Sequence, residues 1–236
     1  MLGAQAYGLV LAAMSVYMVV WSVQNWGFSY VGSRNIATTA SSPEGQRAEV
    51  ARHLSARLLL IPLSLVVGGA AIWHAPLLRD NLLTSCMALL CGVMSGFNLG
   101  WYFQGRMSFK VPVAIEIVGF ATMLTLVLSC VRGPQDNVYV MPFLALSTLL
   151  STVIAYRVAS KTVALGFGPM RDGWALIKES APLFVAGGSA ALMNNVGTYS
   201  LATMSTPDQV AYYGTAEKVV TTGLALLAPA GQVFLT

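Results

Sequence analysis

The sequence predicts an all-α integral membrane protein, a polytopic bundle of about seven transmembrane helices. Of the 236 residues, 56% are hydrophobic and only 9% are charged, whereas soluble globular domains carry roughly 25% charged residues. Residues 1–33 and 180–207 contain no Asp, Glu, Lys, Arg or His. Because roughly 20 apolar residues span the hydrocarbon core of a bilayer, stretches of this kind indicate membrane embedding.

Seven apolar segments account for most of the chain. They cover residues 7–30, 58–76, 82–101, 111–131, 138–156, 182–204 and 210–236. Each has roughly the 20 residues that a spanning helix needs. Lipid offers no hydrogen-bond partner to the backbone, so a spanning segment is a helix or a strand of a closed barrel. Barrel strands are about 10 residues long with strict alternation, a pattern that this sequence lacks, so the segments are predicted to be helices.

The connections between these segments alternate in charge. The connections on one side hold ten Lys and Arg residues, and those on the other side hold two, Arg79 and Arg132. Cytoplasmic connections of membrane proteins carry an excess of Lys and Arg. The basic side is therefore predicted to face the cytoplasm, and the start of the chain to lie on the opposite side.

Two of the longer connections have features of their own. Residues 44–57 form an amphipathic stretch, and both a short interfacial helix and a solvated loop fit it. Residues 159–178 include Gly166 and Pro169, which favour a hinge between two groups of helices. Trp174, near the start of the next apolar segment, is typical of an aromatic anchor at the membrane interface.

The sequence lacks the residue patterns of common enzymes and nucleic-acid-binding proteins. The net charge is +4, but the basic residues form no dense cluster with aromatics, so no nucleic-acid partner is predicted. His53 and His74 fall on opposite sides of the predicted membrane. No paired Asp, phosphate-binding glycine loop or CxxC pair is present. We therefore expect no catalytic residues, no metal site and no cofactor.

Charged residues inside the apolar segments are the candidate functional groups, because a charge in a bilayer costs at least a few kcal/mol. Glu116 lies near the start of the fourth segment, where it faces a cavity, extends to the membrane surface, or pairs with Arg106 or Lys110. Glu217 and Lys218 lie about two turns into the last segment, and Lys218 is expected to face a polar lumen. Adjacent helix positions point about 100° apart, so these two should not pair directly.

Three asparagines also lie within apolar segments. Asn98 is in the third segment, and Asn194 and Asn195 are in the sixth. An amide side chain that faced lipid would leave its polar atoms without partners. Hydrogen bonds between neighbouring helices are therefore their expected role.

Four local patterns resemble the signatures of one family of membrane transporters. They are Gly-Ser-Arg-Asn-Ile-Ala at residues 32–37, Trp-Tyr-Phe-Gln-Gly at 101–105, Lys-Glu-Ser-Ala-Pro-Leu-Phe at 178–184 and Tyr-Tyr-Gly-Thr-Ala-Glu-Lys at 212–218. The family is that of polysaccharide flippases, the O-antigen and exopolysaccharide transporters of the multidrug/oligosaccharidyl-lipid/polysaccharide superfamily. Each pattern alone is weak, but their order and spacing agree with the family across nearly the whole chain.

This resemblance implies a transporter with two six-helix lobes around a cavity and alternating access. Its cargo would be undecaprenyl-pyrophosphate-linked oligosaccharide repeat units, moved across the cytoplasmic (inner) membrane during polysaccharide biosynthesis. Arg34, Gln104 and Lys218 would contact this cargo, since a cationic lumen offsets the charge of a pyrophosphate. Glu116 and Glu217 would couple transport to an ion gradient. Its partners would be membrane lipids and the polysaccharide polymerase and glycosyltransferases of the same pathway.

The resemblance also implies how the chain is divided. Residues 1–165 would be helices of the first lobe without the family's first helix, and residues 166–180 a cytoplasmic connection. Residues 181–236 would hold the last helix of that lobe and the beginning of the second. The chain is thus expected to be part of a longer transporter.

Several alternative functions stay open on the sequence. A peptidoglycan-precursor flippase and a drug/cation antiporter belong to the same superfamily, although the patterns at residues 101–105 and 212–218 favour the polysaccharide branch. An integral membrane enzyme of glycan assembly, such as an acyltransferase or a polymerase, is disfavoured by short external connections that hold only Arg79 and Arg132. A non-catalytic membrane scaffold is the remaining alternative.

Overall fold

Helices make up almost all of the molecule. The computed structural model describes the backbone of residues 3–39 and 42–234, and the side chains of these residues apart from 188–195 and 224–234. In chain order the helices are α1 (Ala4–Asn25), α2 (Phe28–Thr38), α3 (Pro43–His74), α4 (Pro76–Arg79), α5 (Leu82–Gly96), α6 (Gly100–Gly105), α7 (Lys110–Cys130), α8 (Val140–Ala159), α9 (Met170–Met204) and α10 (Pro207–Phe234). A short 3-10 helix at Pro134–Tyr139 precedes α8. Neither backbone range contains a strand.

The prediction of an all-α polytopic membrane bundle is confirmed. Five stretches of described residues are long and apolar enough to cross a membrane, and they are Ala4–Thr38, Pro43–His74, Leu82–Gly105, Lys110–Cys130 and Pro134–Ala159. The sixth and seventh predicted segments fall in α9 and α10, whose 35 and 28 residues exceed the roughly 20 that a span requires. Part of the side chains of these two helices lies outside the described residues.

Helix α3 is longer than the sequence prediction allowed. Residues 44–57, predicted as a short interfacial helix or a solvated loop, are instead the first turns of this single 32-residue helix. The hydroxyl of Ser42 caps it by accepting a hydrogen bond from the Gly45 N–H at 3.0 Å, and Pro43 occupies its first turn, where proline is well tolerated. At 1.5 Å per residue α3 is about 48 Å long, well above the thickness of a hydrocarbon core.

The first predicted segment is two helices rather than one. The helix breaks at Trp26 and Gly27, which both have positive φ angles of 41° and 76°, a conformation that glycine adopts without strain. The Trp26 ring stacks on Phe184 of α9 with centroids 4.0 Å apart, and its indole N–H donates to the Ile177 carbonyl at 3.0 Å. The break therefore brings α9 against the junction of α1 and α2.

Helix α1 lies at the centre of the bundle. It packs against α3, α5, α9 and α10, and 67% of the most apolar stretch of its span is buried, against 17% in α7. Val20 of α1 fits against Gly68 of α3 and Gly92 of α5, where a Cβ atom would come within 2.7 Å of the valine. Small residues at these positions allow the close approach of helices that membrane bundles use.

Helices α7 and α8 form the outer side of the bundle. They pack against each other, and their large apolar side chains, such as Ile117, Leu124 and Leu128, are mostly exposed. In a water-soluble protein such a face would be an aggregation hazard. In a bilayer it is the surface that contacts the lipid chains.

The connections rich in basic residues meet at one end of the bundle, here called the basic end. The Ser55 hydroxyl of α3 donates to the Gly168 carbonyl at 2.8 Å, and the Tyr102 and Thr162 hydroxyls lie 2.9 Å apart. These contacts join the beginning of α3, helix α6 and the link between α8 and α9. The alternating charge of the connections thus corresponds to two opposite ends of the bundle.

Candidate functional site

A cavity of about 570 Å³ opens within the bundle near the basic end; it is here called the basic-end cavity. Side chains from α1 to α3 and from α5 to α8 line it. Its hydroxyl and amide groups come from Tyr17, Asn25, Ser29, Ser95, Asn98, Gln104, Ser147, Thr148, Ser151 and Thr152, its aromatic rings from Trp21, Trp101, Phe103 and Phe120, and its charges from Arg57 and Glu116. A lining this polar is unusual inside an apolar membrane bundle, where polar groups mark substrate and ion pathways.

The Trp-Tyr-Phe-Gln-Gly pattern at residues 101–105 forms one wall of this cavity. Four of its five residues are buried in packing, and Gln104 is exposed to the cavity. The Trp101 ring is 3% exposed and stacks on the imidazole of His53 at 4.3 Å between centroids. Gly105 packs against Ser33 and Ile36 of α2. Most of the pattern therefore shapes the wall, and Gln104 is the residue of the pattern whose side chain is placed to meet a ligand.

His53 is a packing residue of the same wall. Its ring is fully buried between Trp101 and the edge of Phe28, and its Nδ1 lies 2.9 Å from the Glu49 carbonyl oxygen. The described residues contain no group of His, Cys, Asp and Glu that could hold a metal ion. The His53 ring is thus enclosed by its neighbours and is not accessible in this structure.

Arg57 of α3 is the buried charge of the basic-end cavity. Its residue is 2% exposed, and its guanidinium carbon lies 5.6 Å from the centre of the Phe28 ring. Among the described residues no carboxylate forms an ion pair with it, and its Nε has no hydrogen-bond partner. A cation–π contact contributes about 0.5–2 kcal/mol, whereas moving a charge out of water costs several kcal/mol. Phe28 therefore offsets only part of the cost of burying Arg57.

The sequence prediction missed Arg57 because it placed this residue in a connection. The apolar segment was drawn from residue 58, one position too late to include it. A helix start at Ser42 and Pro43 is a recognisable capping signal. Counting from that start places Arg57 about 21 Å along the helix, well inside the bundle rather than on a loop.

Glu116 lies on α7, across the basic-end cavity from α3. It is exposed and lines the cavity, and no ion pair of the described residues includes it. Arg106, one of its two predicted partners, instead donates a hydrogen bond to the Tyr102 hydroxyl at 2.8 Å and lies over that ring. Glu116 thus lines the cavity, and neither Arg106 nor Lys110 forms an ion pair with it among the described residues.

A second, smaller cavity of about 220 Å³ lies between α1, α9 and α10. Glu217 and Lys218 both line it, together with apolar side chains such as Leu11. The Thr198 hydroxyl donates to Glu217 Oε2 at 2.7 Å. The Lys218 Nζ lies 3.9 Å from the Met14 sulfur and 6.0 Å from the centre of the Tyr7 ring. As predicted, the two charges do not pair with each other; each has another partner.

Arg34 lies in neither cavity. Its side chain is 67% exposed at the basic end, and its Nη2 lies 3.2 Å from Glu179 of α9. Arg52 of α3 contacts the other oxygen of the same carboxylate at 2.8 Å. The predicted site residues thus occupy three places: Gln104 and Glu116 the basic-end cavity, Glu217 and Lys218 the second cavity, and Arg34 an exposed cluster of ion pairs.

The predicted role of Asn98 is wrong. Its Oδ1 accepts a hydrogen bond from the Gly100 N–H at 2.6 Å, which stabilises the turn between α5 and α6 instead of joining two helices. Asparagine favours this local turn because its short amide reaches the backbone two residues ahead. Asn194 and Asn195 lie outside the described side chains.

Comparison with known proteins identifies the family. A family model described as polysaccharide biosynthesis protein matches residues 1–235. The chain belongs to this family. No curated protein and no solved structure gives a match.

Membership of the polysaccharide biosynthesis family confirms the resemblance to polysaccharide flippases and supplies the general function. Members of the family are transporters rather than enzymes, and they handle lipid-linked polysaccharide precursors in membranes. The protein is accordingly a multi-pass membrane protein with a transport role in polysaccharide synthesis. Polar side chains line both cavities, and they are more numerous in the basic-end cavity.

Proposed function

We propose that the protein moves undecaprenyl-pyrophosphate-linked oligosaccharide repeat units from the cytoplasmic to the outer leaflet of the cytoplasmic membrane. The product would be O-antigen, capsule or exopolysaccharide. The proposal is carried by the basic-end cavity, a hydroxyl-rich space inside an apolar bundle of the polysaccharide biosynthesis family. A sugar head group needs hydrogen-bond partners along its route, and the hydrocarbon core offers none.

The proposed cargo contacts are Arg34, Gln104 and Lys218. Gln104 presents an amide to the basic-end cavity, where it can donate to and accept from sugar hydroxyls. Arg34 is exposed at the basic end, near where a charged head group would enter from the cytoplasm. Lys218 lines the second cavity, where an ammonium group attracts a phosphate as a point charge.

Glu116 and Glu217 are proposed to couple transport to an ion gradient. Glu116 faces the basic-end cavity, and Glu217 accepts a hydrogen bond from Thr198 in the second cavity. Binding a proton or a cation would change the charge of either cavity. Such a change alters the affinity for an anionic cargo, which is the differential binding that coupling requires.

The proposed pathway partners are a polysaccharide polymerase and glycosyltransferases. The glycosyltransferases would build the repeat unit on its lipid carrier before transport, and the polymerase would consume it afterwards. This order follows from the chemistry, because the flipping step changes only the side of the membrane on which the repeat unit lies.

Reconstitution tests the proposal directly. Vesicles containing the full-length transporter and a fluorescently labelled lipid-linked oligosaccharide should expose the label on both leaflets, as measured by a membrane-impermeant quencher. Protein-free vesicles and vesicles given the labelled lipid without its sugars are the controls. Label that stays on one leaflet in the presence of folded protein would refute the proposal.

Lys218→Ala tests the second cavity in cells. We expect loss of surface polysaccharide at an unchanged level of the protein, since the variant removes a cation from the proposed route. Lys161→Ala, an exposed change outside both cavities, is the matched control and should leave the polysaccharide in place. Normal polysaccharide in the Lys218 variant would remove this residue from the proposed cargo contacts.

A further inference from the structure

Helices α7 and α8 carry two cations on the side of the bundle that faces lipid. Lys110 begins α7, and Arg157 lies in the last turn of α8. Both residues are exposed and line neither cavity, and no ion pair of the described residues includes either of them. We propose that these two cations bind the phosphate of an anionic phospholipid in the leaflet at the basic end. This lipid is a constituent of the surrounding bilayer, so the inference is independent of the proposed cargo.

The lipid-facing stripe of each helix continues into its cation. The exposed apolar residues of these stripes are Val113, Ile117 and Leu124 on α7, and Leu146, Leu149 and Val153 on α8. Residues at intervals of three, four or seven lie on one face of a helix. Lys110 comes three residues before Val113, and Arg157 comes four residues after Val153. A phospholipid lying along these faces therefore has its acyl chains against the apolar residues and its head group at the cations.

The two cations lie at nearly the same level of the bundle. The Ser147 hydroxyl of α8 donates to the Gly119 carbonyl of α7 at 2.7 Å, and consecutive helices joined by a short connection run antiparallel. Lys110 lies nine residues before Gly119, and Arg157 lies ten residues after Ser147. Their levels thus differ by about 1.5 Å, the rise of one residue. Neighbouring helix axes are about 8–10 Å apart, a separation that two long, flexible side chains can bridge to reach one phosphate.

The level of these cations matches that of phospholipid head groups. Helix α7 has 21 residues and a length of about 32 Å, close to the roughly 30 Å of a hydrocarbon core. Lys110, its first residue, therefore lies at the boundary between the core and the head groups. Phe109, next to it, is 54% exposed, and an exposed apolar ring at this depth inserts among the upper parts of the lipid chains.

The charge of this surface favours an anionic head group over a zwitterionic one. Residues 105–111 and 153–166 contain no Asp or Glu, so no acidic residue of these two segments offsets Lys110 and Arg157. Other cations of the basic end are neutralised within the protein, as Arg34 and Arg52 share the carboxylate of Glu179. Each Lys or Arg near a membrane surface strengthens binding to anionic lipid by about fivefold. Two such residues predict a preference of about thirtyfold.

Lipid binding to the full-length protein tests the inference. The delipidated protein in detergent is titrated with phosphatidylglycerol and with phosphatidylethanolamine of the same acyl chains, and bound lipids are counted by native mass spectrometry. We expect at least one phosphatidylglycerol to bind about thirtyfold more tightly than phosphatidylethanolamine. A higher salt concentration should reduce this preference, because salt screens exposed charges. Equal affinity for the two lipids would overturn the inference.

Lys110→Gln combined with Arg157→Gln should remove the preference for phosphatidylglycerol. Arg47→Gln combined with Arg171→Gln is the matched control and should retain it. Arg47 and Arg171 are exposed arginines near the beginnings of α3 and α9 and line neither cavity, so the control removes two positive charges elsewhere at the basic end. Survival of the preference in the first variant, or an equal loss in both, would contradict a site on α7 and α8.

A cross-linking measurement keeps the test decisive without any variant. Photoactivatable phosphatidylglycerol should label peptides that contain residues 107–113 or 153–157 of the unchanged protein, and labelling confined to other helices would refute the inference. Labelling of these peptides by undecaprenyl diphosphate but not by phosphatidylglycerol would assign the surface to the carrier lipid and refute it as well. Binding of phosphatidylglycerol here by a protein that fails to flip lipid-linked oligosaccharide would sustain this inference while refuting the proposed transport.

Discussion

The charged side chains of the two cavities differ in their contacts and in their burial. In the second cavity Glu217 receives a hydrogen bond from Thr198, and Lys218 lies against Met14 and Tyr7. In the basic-end cavity the described contacts give Arg57 an aromatic face but no carboxylate. Burial of an uncompensated charge lowers stability. Neither Arg57 nor Lys218 forms an ion pair among the described residues. The two cations differ in burial, since Lys218 is exposed and Arg57 is 2% exposed.

Aromatic residues have two uses at these cavities. In the basic-end cavity Trp101 stacks on His53 and supports the wall beside Arg57. Phe28 lies next to the charge of Arg57, as Tyr7 lies next to the charge of Lys218. A wall built from large buried rings is rigid, since such side chains make many contacts and fit few alternative arrangements. A rigid wall would hold a group of a bound ligand at a constant position relative to Arg57.

Trp101→Ala has the largest expected effect, because it removes the buried ring that makes the wall of the basic-end cavity rigid. Replacing a buried tryptophan by alanine costs about 3–5 kcal/mol, so we expect a large drop in the unfolding temperature of the protein in nanodiscs. Gln104→Ala is the matched control in the same pattern. Because Gln104 is exposed to the cavity, its loss should change the unfolding temperature little; similar effects of both variants would contradict the division of roles.

Arg57→Gln has the next largest effect, and it separates function from stability. Transport of lipid-linked oligosaccharide should fall by about tenfold with the loss of one charge-assisted pair. The free energy of unfolding should stay the same or rise by about 1 kcal/mol, because an uncompensated buried charge is removed. Vesicle flipping and thermal unfolding measure the two quantities, with Arg47→Gln as control. A large loss of stability together with normal transport would make Arg57 a structural residue.

Thr198→Val has the smallest expected effect and tests a hydrogen bond of the second cavity. It removes the hydroxyl that donates to Glu217 at 2.7 Å, and hydrogen bonds between membrane helices contribute about 0.6 kcal/mol on average. We expect a small decrease in the free energy of unfolding. Thr203→Val is the control, since the Thr203 hydroxyl bonds only to a carbonyl of its own helix among the described contacts. Equal free energies of unfolding of the two variants would show that the hydrogen bond from Thr198 to Glu217 does not stabilise the protein.

Much of the fold could be predicted because hydropathy is a property of local sequence. Apolar segments of about 20 residues indicate spanning helices, and these segments reappear as helices of the described chain. The errors lie at the ends and breaks of helices. The bend at Trp26 and Gly27 depends on Phe184 of α9, and the early start of α3 on the cap at Ser42. Hydropathy averages do not detect either feature.

The candidate site was predictable only in part. Gln104, Glu116 and Lys218 were selected because they are polar residues in family patterns or apolar segments, and each of them lines a cavity. Arg34 was selected in the same way, but its side chain is engaged with Glu179 at the surface. Arg57 was overlooked, since a basic residue next to an apolar segment is most often a charge at the membrane surface.

The sequence by itself determined the membrane class, the helical bundle, the alternation of charged ends and the family. All four follow from features that are contiguous along the chain: apolar length, charge between segments, and short residue patterns. Only the tertiary structure decided which charges are paired, and which charge is buried without a carboxylate partner among the described residues. Arg57 meets Phe28 and shares a cavity with Glu116, residues far from it in sequence. The environment of a charged side chain depends on the helices that pack around it, and no single segment of the sequence determines that packing.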